Sequence, residues 1–531
     1  MKIYSKKNTV FIGFLLSGML LSGCGGGGGR DGDTGARSPE TVVFLSNDQK
    51  QVIAAADDGS VADTVLSQMP YTVITSFKVS PDGAYVAYIA DATIGGQFDL
   101  YVRKVSGTGG VKVSNLRFTD DDVVNFAWSP DSSKLVYRAD DSVDNVYKLY
   151  LANVSSGSEY EASILADTQS VGVFGWSPDS HYVAYVADST TLYTHDATKD
   201  KQNGNQLFSV SDSKTRGIIS FKWSPNSLKL AFRTDSDASS QVGQYQNMIV
   251  DPDGNAPAQI ANGRPGSSAQ VDDFTWSPDS RYLAQRVVNY PSSTAIGVNV
   301  VDTTGLSDMV TASKRVVTSN SFGALHWAHS GNQLAFEAKY DVANNQSSSQ
   351  LALIVYDADT QTLSSINNTM AINEALTRDY FLWSPNDASI AYLTYINGGG
   401  DRLYIAPADT SGSAVLTAIP ANLTIKGLSW SGDSSKLGAE ALDTTGGTYV
   451  GNWYIFGAQG QQLWKSENIY PFGTSYTMKW SLDDTLAVYS AGAYGTSQAA
   501  DYLYSAQVEN GGSIVVTDTP AYPYQEFEYA E

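Results

Sequence analysis

The sequence predicts an all-β chain, a β-propeller of about ten four-stranded blades. A single closed ring is the favoured arrangement, and two smaller packed propellers are the alternative. Three observations lead there. The phrase Phe-x-Trp-Ser-Pro-Asp-Ser, with variants, starts at residues 77, 126, 174, 221, 274, 325, 381, 428 and 478. Two further β-like runs follow most copies. No window sustains a helical period, because turn residues interrupt every long stretch.

The phrase itself comes first. Its third position holds Val79, then Trp128, Trp176, Trp223, Trp276, Trp327, Trp383, Trp430 and Trp480, so eight of the ten tryptophans share one slot. The spacings run from 47 to 56 residues. Within FxW, residues two apart lie on one strand face. Ser-Pro-Asp-Gly or Ser-Pro-Asp-Ser then fits a type I turn, with Pro presetting φ at the second position.

A second strand follows as VAYIAD, LVYRAD, VAYVAD or LAFRTD. It is apolar at nearly every position, as a strand packed on both faces must be. The third strand reads DLYVRKV, KLYLANV or RLYIAPAD, and a weaker fourth reads VKVSNLRF or QLFSV. Four antiparallel strands in about 50 residues make one propeller blade.

This repeat resembles the WD40-like PD40 repeat, which builds the β-propeller of the periplasmic TolB protein and its relatives. The resemblance runs over nearly all of residues 42–531. It implies a rigid propeller used for protein binding, although the fold hosts many activities. Residues 42–46, 51–57 and 61–67 read as strands two to four of a unit that lacks its first. The tail YQEFEYAE (524–531) has the alternation of a first strand. Pairing that tail into the first blade would seal the ring.

The first 40 residues differ in kind. Lys2, Lys6 and Lys7 precede a mostly apolar run from Val10 to Leu21, too short to span a bilayer. Leu21-Ser22-Gly23-Cys24 looks like the lipobox of bacterial lipoproteins. That resemblance implies a signal peptide over 1–23, diacylglyceryl transfer to the Cys24 thiol, cleavage before Cys24 and acylation of the new amine by a fatty acid such as palmitate. Cys24 is the chain's single cysteine, so no disulfide can form within it. Residues 24–40 are a Gly-rich tether. Gly25 stands where inner-membrane-retained lipoproteins carry Asp, which implies the outer membrane.

The formal charge is −22, from 33 Lys plus Arg against 55 Asp plus Glu. A field of that sign repels phosphate, which argues against nucleic acid and bare anionic lipid. There is no GxSxG elbow, no HExxH and no EF-hand loop. His326 and His329 flank Trp327, but two histidines do not make a zinc site. No cofactor or metal is expected.

One periodic feature remains. Asp91, Asp140, Asp188 and Asp235 follow the second strand at spacings of 49, 48 and 47. Asp120, Asp121 and Asp122 fill a loop expected on the same face. Each aspartate can hold its own loop by an Asx turn. Alternatively, the set forms an acidic rim for a basic envelope partner. The resulting reading is an envelope lipoprotein acting as a non-catalytic scaffold. A propeller enzyme cleaving glycans or peptides through rim carboxylates is the alternative.

Overall fold

The computed structural model describes residues 39–531 except 47, 68–72, 92–95, 108, 117–120, 141, 142, 144, 200, 211–216, 236–244, 256–258, 261–268, 290–294, 305–312, 319–321, 345, 367–373, 397, 398, 421, 444–449, 467–477, 493–500, 509–511, 517–527 and 531. The described residues form ten antiparallel sheets of four strands each, with no helix. The sheets are the blades of a single propeller.

Blade one is the exception in connectivity. Its strands β1 (Thr41–Leu45), β2 (Val52–Ala56) and β3 (Thr64–Val65) come from the start of the ring. Its innermost strand is β40 (Glu528–Ala530), which pairs antiparallel with β1 through Thr41↔Ala530, Val42↔Tyr529 and Val43↔Glu528. Blade two has the regular order, β4 (Val73–Val79), β5 (Tyr85–Asp91), β6 (Phe98–Lys104) and β7 (Gly110–Lys112). Blades three to ten repeat it.

The second strands show why their sequences are apolar throughout. In the strand Tyr182–Ala187 of blade four, Val183, Tyr185 and Ala187 pack into the cluster shared with blade three. Ala184 and Val186, pointing the other way, pack into the cluster shared with blade five. A period of two therefore fills two seams at once. Such seams run between every pair of neighbours. The tenth joins Val488, Leu503 and Val516 of blade ten to Val42, Phe44, Ile53 and Ala55 of blade one. Ten blades with ten apolar seams make one closed ring.

Tyrosines tie second to third strands. Tyr137 opposes Tyr150 with ring centroids 5.3 Å apart and stacked, and Tyr185–Tyr193 and Tyr392–Tyr404 repeat this at 5.2 and 5.4 Å. Such cross-strand aromatic pairs add to burial by about 0.5–1.5 kcal/mol each.

The repeat tryptophan is an inter-blade latch. Trp128 Nε1 donates to the carbonyl of Lys78 in the preceding blade at 3.0 Å. All eight repeat tryptophans make the equivalent bond, to the residue just before the aligned slot one blade back, at 3.0–3.3 Å. The ring thus uses an apolar body for the seam and a polar tip for the register between sheets.

Candidate functional site

The inner strands carry the positions open to the middle of the ring. These are β4, β8 (Val123–Trp128), β12 (Val171–Trp176), β16 (Ile218–Trp223), β20 (Ala269–Trp276), β24 (Phe322–Trp327), β28 (Glu374–Trp383), β32 (Thr424–Trp430), β36 (Met478–Trp480) and β40. Neighbouring inner strands approach within 8 Å between Cα atoms, as β20 does with β24 and β4 with β40.

A β-bulge interrupts the inner strand of every blade from two to nine, ahead of its FxW phrase. The extra residue breaks the alternation and turns side chains outward. Val124, Val173 and Ile219 in blades three to five are exposed there, at 38, 49 and 38%. Three arginines serve the bulge of the next blade. Arg138 Nη1 donates to the carbonyls of Val171 and Gly172 at 3.2 and 2.8 Å. Arg233 does the same for Asp272, and Arg286 for Gly323 at 3.3 Å. Arg286 also pairs with the Asp272 carboxylate at 2.8 Å.

The opposite face holds the Ser-Pro-Asp turns. Ser129 Oγ donates to Asp131 Oδ1 at 2.6 Å and accepts the N–H of Lys134 at 2.9 Å. The fourth residue, Ser132, has φ +61°. Its hydroxyl accepts the N–H of Asp82 in the preceding blade at 3.0 Å, and Ser180, Ser227, Ser280 and Ser434 repeat the contact. Asp387 and Asp484 take two such N–H groups each. Glu40 Oε2 accepts the N–H of Leu482 at 2.8 Å, so this chain of bonds also passes from blade ten to blade one.

The periodic aspartates sit at the end of the second strand, on the face of the bulges. Asp91, Asp140 and Asp235 are buried, whereas Asp188 is exposed. Asp140 Oδ1 accepts the N–H of Asp122 at 2.7 Å and Oδ2 that of Asn145 at 3.0 Å. Asp188 accepts from Ser170 at 2.9 Å, and Asp235 from Gly217 at 2.8 Å. Each thereby grips the loop that leads into its own blade's first strand. In blade one a different contact is made: Asp57, after the third strand, accepts the N–H of Glu40, which leads into the second strand, at 3.0 Å.

Asp120 lies outside the described residues, Asp121 is buried, and Asp122 accepts the N–H of Phe98 at 2.8 Å. Burial raises the Asp122 carboxyl above its ordinary range. The Phe98 N–H opposes the rise, and the charges of Asp140, Asp91 and Asp99 add to it. The structure therefore gathers Asp91, Asp122 and Asp140 at the seam of blades two and three. Asp188 and Asp235 belong to later seams.

The histidines part company. His326 is exposed on the inner strand, with Phe381 edge-on at 5.0 Å, while His329 stands on the turn 2.9 Å from Asp387. Burial alone would raise Asp387, but bonds from His329 and Ser330 outweigh it and hold the carboxyl at about 2. Among the described residues, no three His, Cys, Asp or Glu side chains are grouped to hold a metal. Trp453 and Trp464 are buried in the seam of blades nine and ten.

Some features were missed in the sequence. The arginines were visible as charges inside apolar runs, in LVYRAD, LAFRTD and YLAQRVV. Glu440 occupies the same strand position in blade nine. It is fully buried, with neither carboxylate oxygen hydrogen-bonded, directly across the ladder from Trp453, whose Nε1 also lacks a partner. Burial pushes Glu440 up to about 8, against the pull of Lys426.

Residues 37–211, about a third of the chain, match the family model of the lipoprotein LpqB beta-propeller domain. No curated protein matches. Among solved structures, the dipeptidyl peptidase 4 of Porphyromonas gingivalis is similar at 13% identity and a TM-score of 0.50, over 85% of this chain and 63% of that one. The chain thus spans less than two thirds of that peptidase. A eukaryotic initiation factor is similar at 15% identity and a TM-score of 0.50, over 81% of this chain and 96% of that one. These likenesses show a β-propeller, and over blades one to four a similarity to a lipoprotein's propeller domain.

Proposed function

We propose that the chain is a bacterial envelope lipoprotein, anchored in the outer membrane through Cys24, whose ring is a non-catalytic scaffold for an envelope protein. The match of residues 37–211 to a lipoprotein's propeller domain carries this reading, together with the lipobox-like Leu21–Cys24. The closed ring supports it physically. Latched seams hold the blades rigid, and the bulges present side chains at their inner edges without ordering cost on binding. The rim aspartates belong to the architecture in this reading, because Asp140, Asp188 and Asp235 spend oxygens on their own loops.

The test is palmitate labelling and envelope fractionation of the wild type and Cys24→Ser, followed by chemical cross-linking. The wild type should label, sediment with outer membrane and cross-link one abundant envelope protein. Cys24→Ser should not label. Equal labelling of both would end the lipoprotein reading. Turnover of envelope glycan or peptide by the pure ring would end the non-catalytic one.

A further inference from the structure

One layer of the ring changes chemistry between blades five and six. The seam of blades three and four shows the usual filling. There blade three presents Arg138 and, directly opposite it in the ladder, Leu149. Blade four meets them with the stacked pair Tyr185 and Tyr193.

The same layer between blades five and six holds Arg233 and Asn247 on one side, Gln285 and Asn299 on the other. Strand alternation places them there. Asn247 is two residues from Ile249, Gln285 two from Leu283 and Asn299 two from Val301, and those three apolar side chains pack together in this seam. No register shift falls between the members of any of these pairs. A leucine and two tyrosines are thus replaced by three amides. At the place of Asn247, blades two to ten otherwise carry only leucine, valine or tryptophan.

The amides are deep. Asn247 and Gln285 are fully buried, and Asn299 is 5% exposed. Neither the oxygen nor the nitrogen of the Asn247 side chain has a hydrogen-bond partner in the protein, and the side-chain oxygen of Asn299 has none either. Buried amides left in that condition are strongly unfavourable, so native proteins satisfy them with protein groups or with water. Space and polarity coincide here. Each of the three side chains is smaller than the Leu149, Tyr185 or Tyr193 that it stands for. A buried water needs room for itself and about three hydrogen bonds, and this layer supplies both. Ile249, Phe274, Leu283 and Val301 wall it with apolar surface, which slows escape to bulk solvent.

We infer that blades five and six enclose a small cluster of ordered waters, bound by the side chains of Asn247 and Asn299 in the layer that Gln285 completes. At this seam the ring is held by bound water where the seam of blades three and four is held by tyrosine.

Magnetic relaxation dispersion of the water oxygen counts waters held longer than the protein takes to tumble. It is read on the full chain in detergent as the difference between wild type and variant, so that the micelle and other internal waters cancel. Asn247→Leu with Gln285→Tyr and Asn299→Tyr rebuilds the layer of blades three and four. This variant should lose the dispersion of about two waters. Asn247→Leu or Asn299→Leu alone should lose part of it, so the test survives if the triple variant does not fold. Leu149→Met, in the tyrosine-filled seam, should change nothing. Equal dispersion in the wild type and in a folded Asn247→Leu would overturn the inference. So would a metal ion or small organic molecule that native mass spectrometry finds on the wild type and not on Asn247→Leu, because the layer would then hold a ligand in place of water.

Discussion

The indole Nε1 of Trp128 donates to the carbonyl of Lys78, 3.0 Å away and one blade earlier. The bond makes the tryptophan more than seam filling. Trp128→Phe keeps most of the apolar contact but leaves the Lys78 carbonyl without this donor. We expect a loss of about 1–3 kcal/mol in urea unfolding, the cost of an unmet buried polar group plus the missing ring volume. A loss below 0.5 kcal/mol, roughly the noise of such a measurement, would show that the bond is incidental.

Ring closure rests on three residue pairs between β1 and β40. Deleting residues 522–531 removes the first strand of blade one and bares the inner edge of β1. The truncated chain should melt clearly lower and aggregate, read by calorimetry and light scattering. An unchanged melting curve would mean that the seam of Val42 and Phe44 with Val488 holds the ring without it.

Asp140 and Asp188 occupy one repeat position but differ in what they hold. Asp140 uses both oxygens on backbone N–H groups, and Asp188 uses one. An Asx turn alone would let asparagine serve at either position. The structure separates them, because an amide nitrogen at Asp140 would face the N–H of Asn145 or Asp122. Asp188→Asn should be nearly silent, while Asp140→Asn should cost about 1–2 kcal/mol in chemical denaturation. Equal effects would contradict this.

Glu440 gives a pH dependence of definite sign. Its folded pKa, about 8, lies above the ordinary 4.5. Below the ordinary value both states are protonated and no penalty exists. As pH rises toward 8 the unfolded chain ionises first, so the seam of blades nine and ten steadily loses stability. Glu440→Leu should raise stability by about 1–3 kcal/mol at pH 7.5 and by less at pH 4. A gain that is flat with pH would remove Glu440 as the cause. Asp387 works in the opposite sense. Its carboxyl, held at about 2, supports the turn above its ordinary 3.8, and that support fades as pH falls between the two values.

The repeat was legible because local patterns carry it. The FxW slot, the Ser-Pro-Asp turn and the doubly apolar second strand each follow from a few adjacent residues. The strand offset between Thr41–Leu45 and the tail was legible too, because one blade visibly lacked a strand. What stayed hidden depends on partners about 50 residues away. Ser132 looks like an ordinary turn residue until its hydroxyl meets the N–H of Asp82. The bulges leave no mark in sequence, since Val124 and Ile219 read as ordinary strand residues.

Hydrogen–deuterium exchange tests the central claim most directly, comparing the ring alone with the ring bound to the envelope protein that it cross-links. The account predicts slowed exchange in the inner-strand segments 123–125, 171–173 and 218–220, with the outer strands unchanged. Protection confined to outer strands, or none at all while the partner is cleaved, would contradict a scaffold that binds through its inner wall.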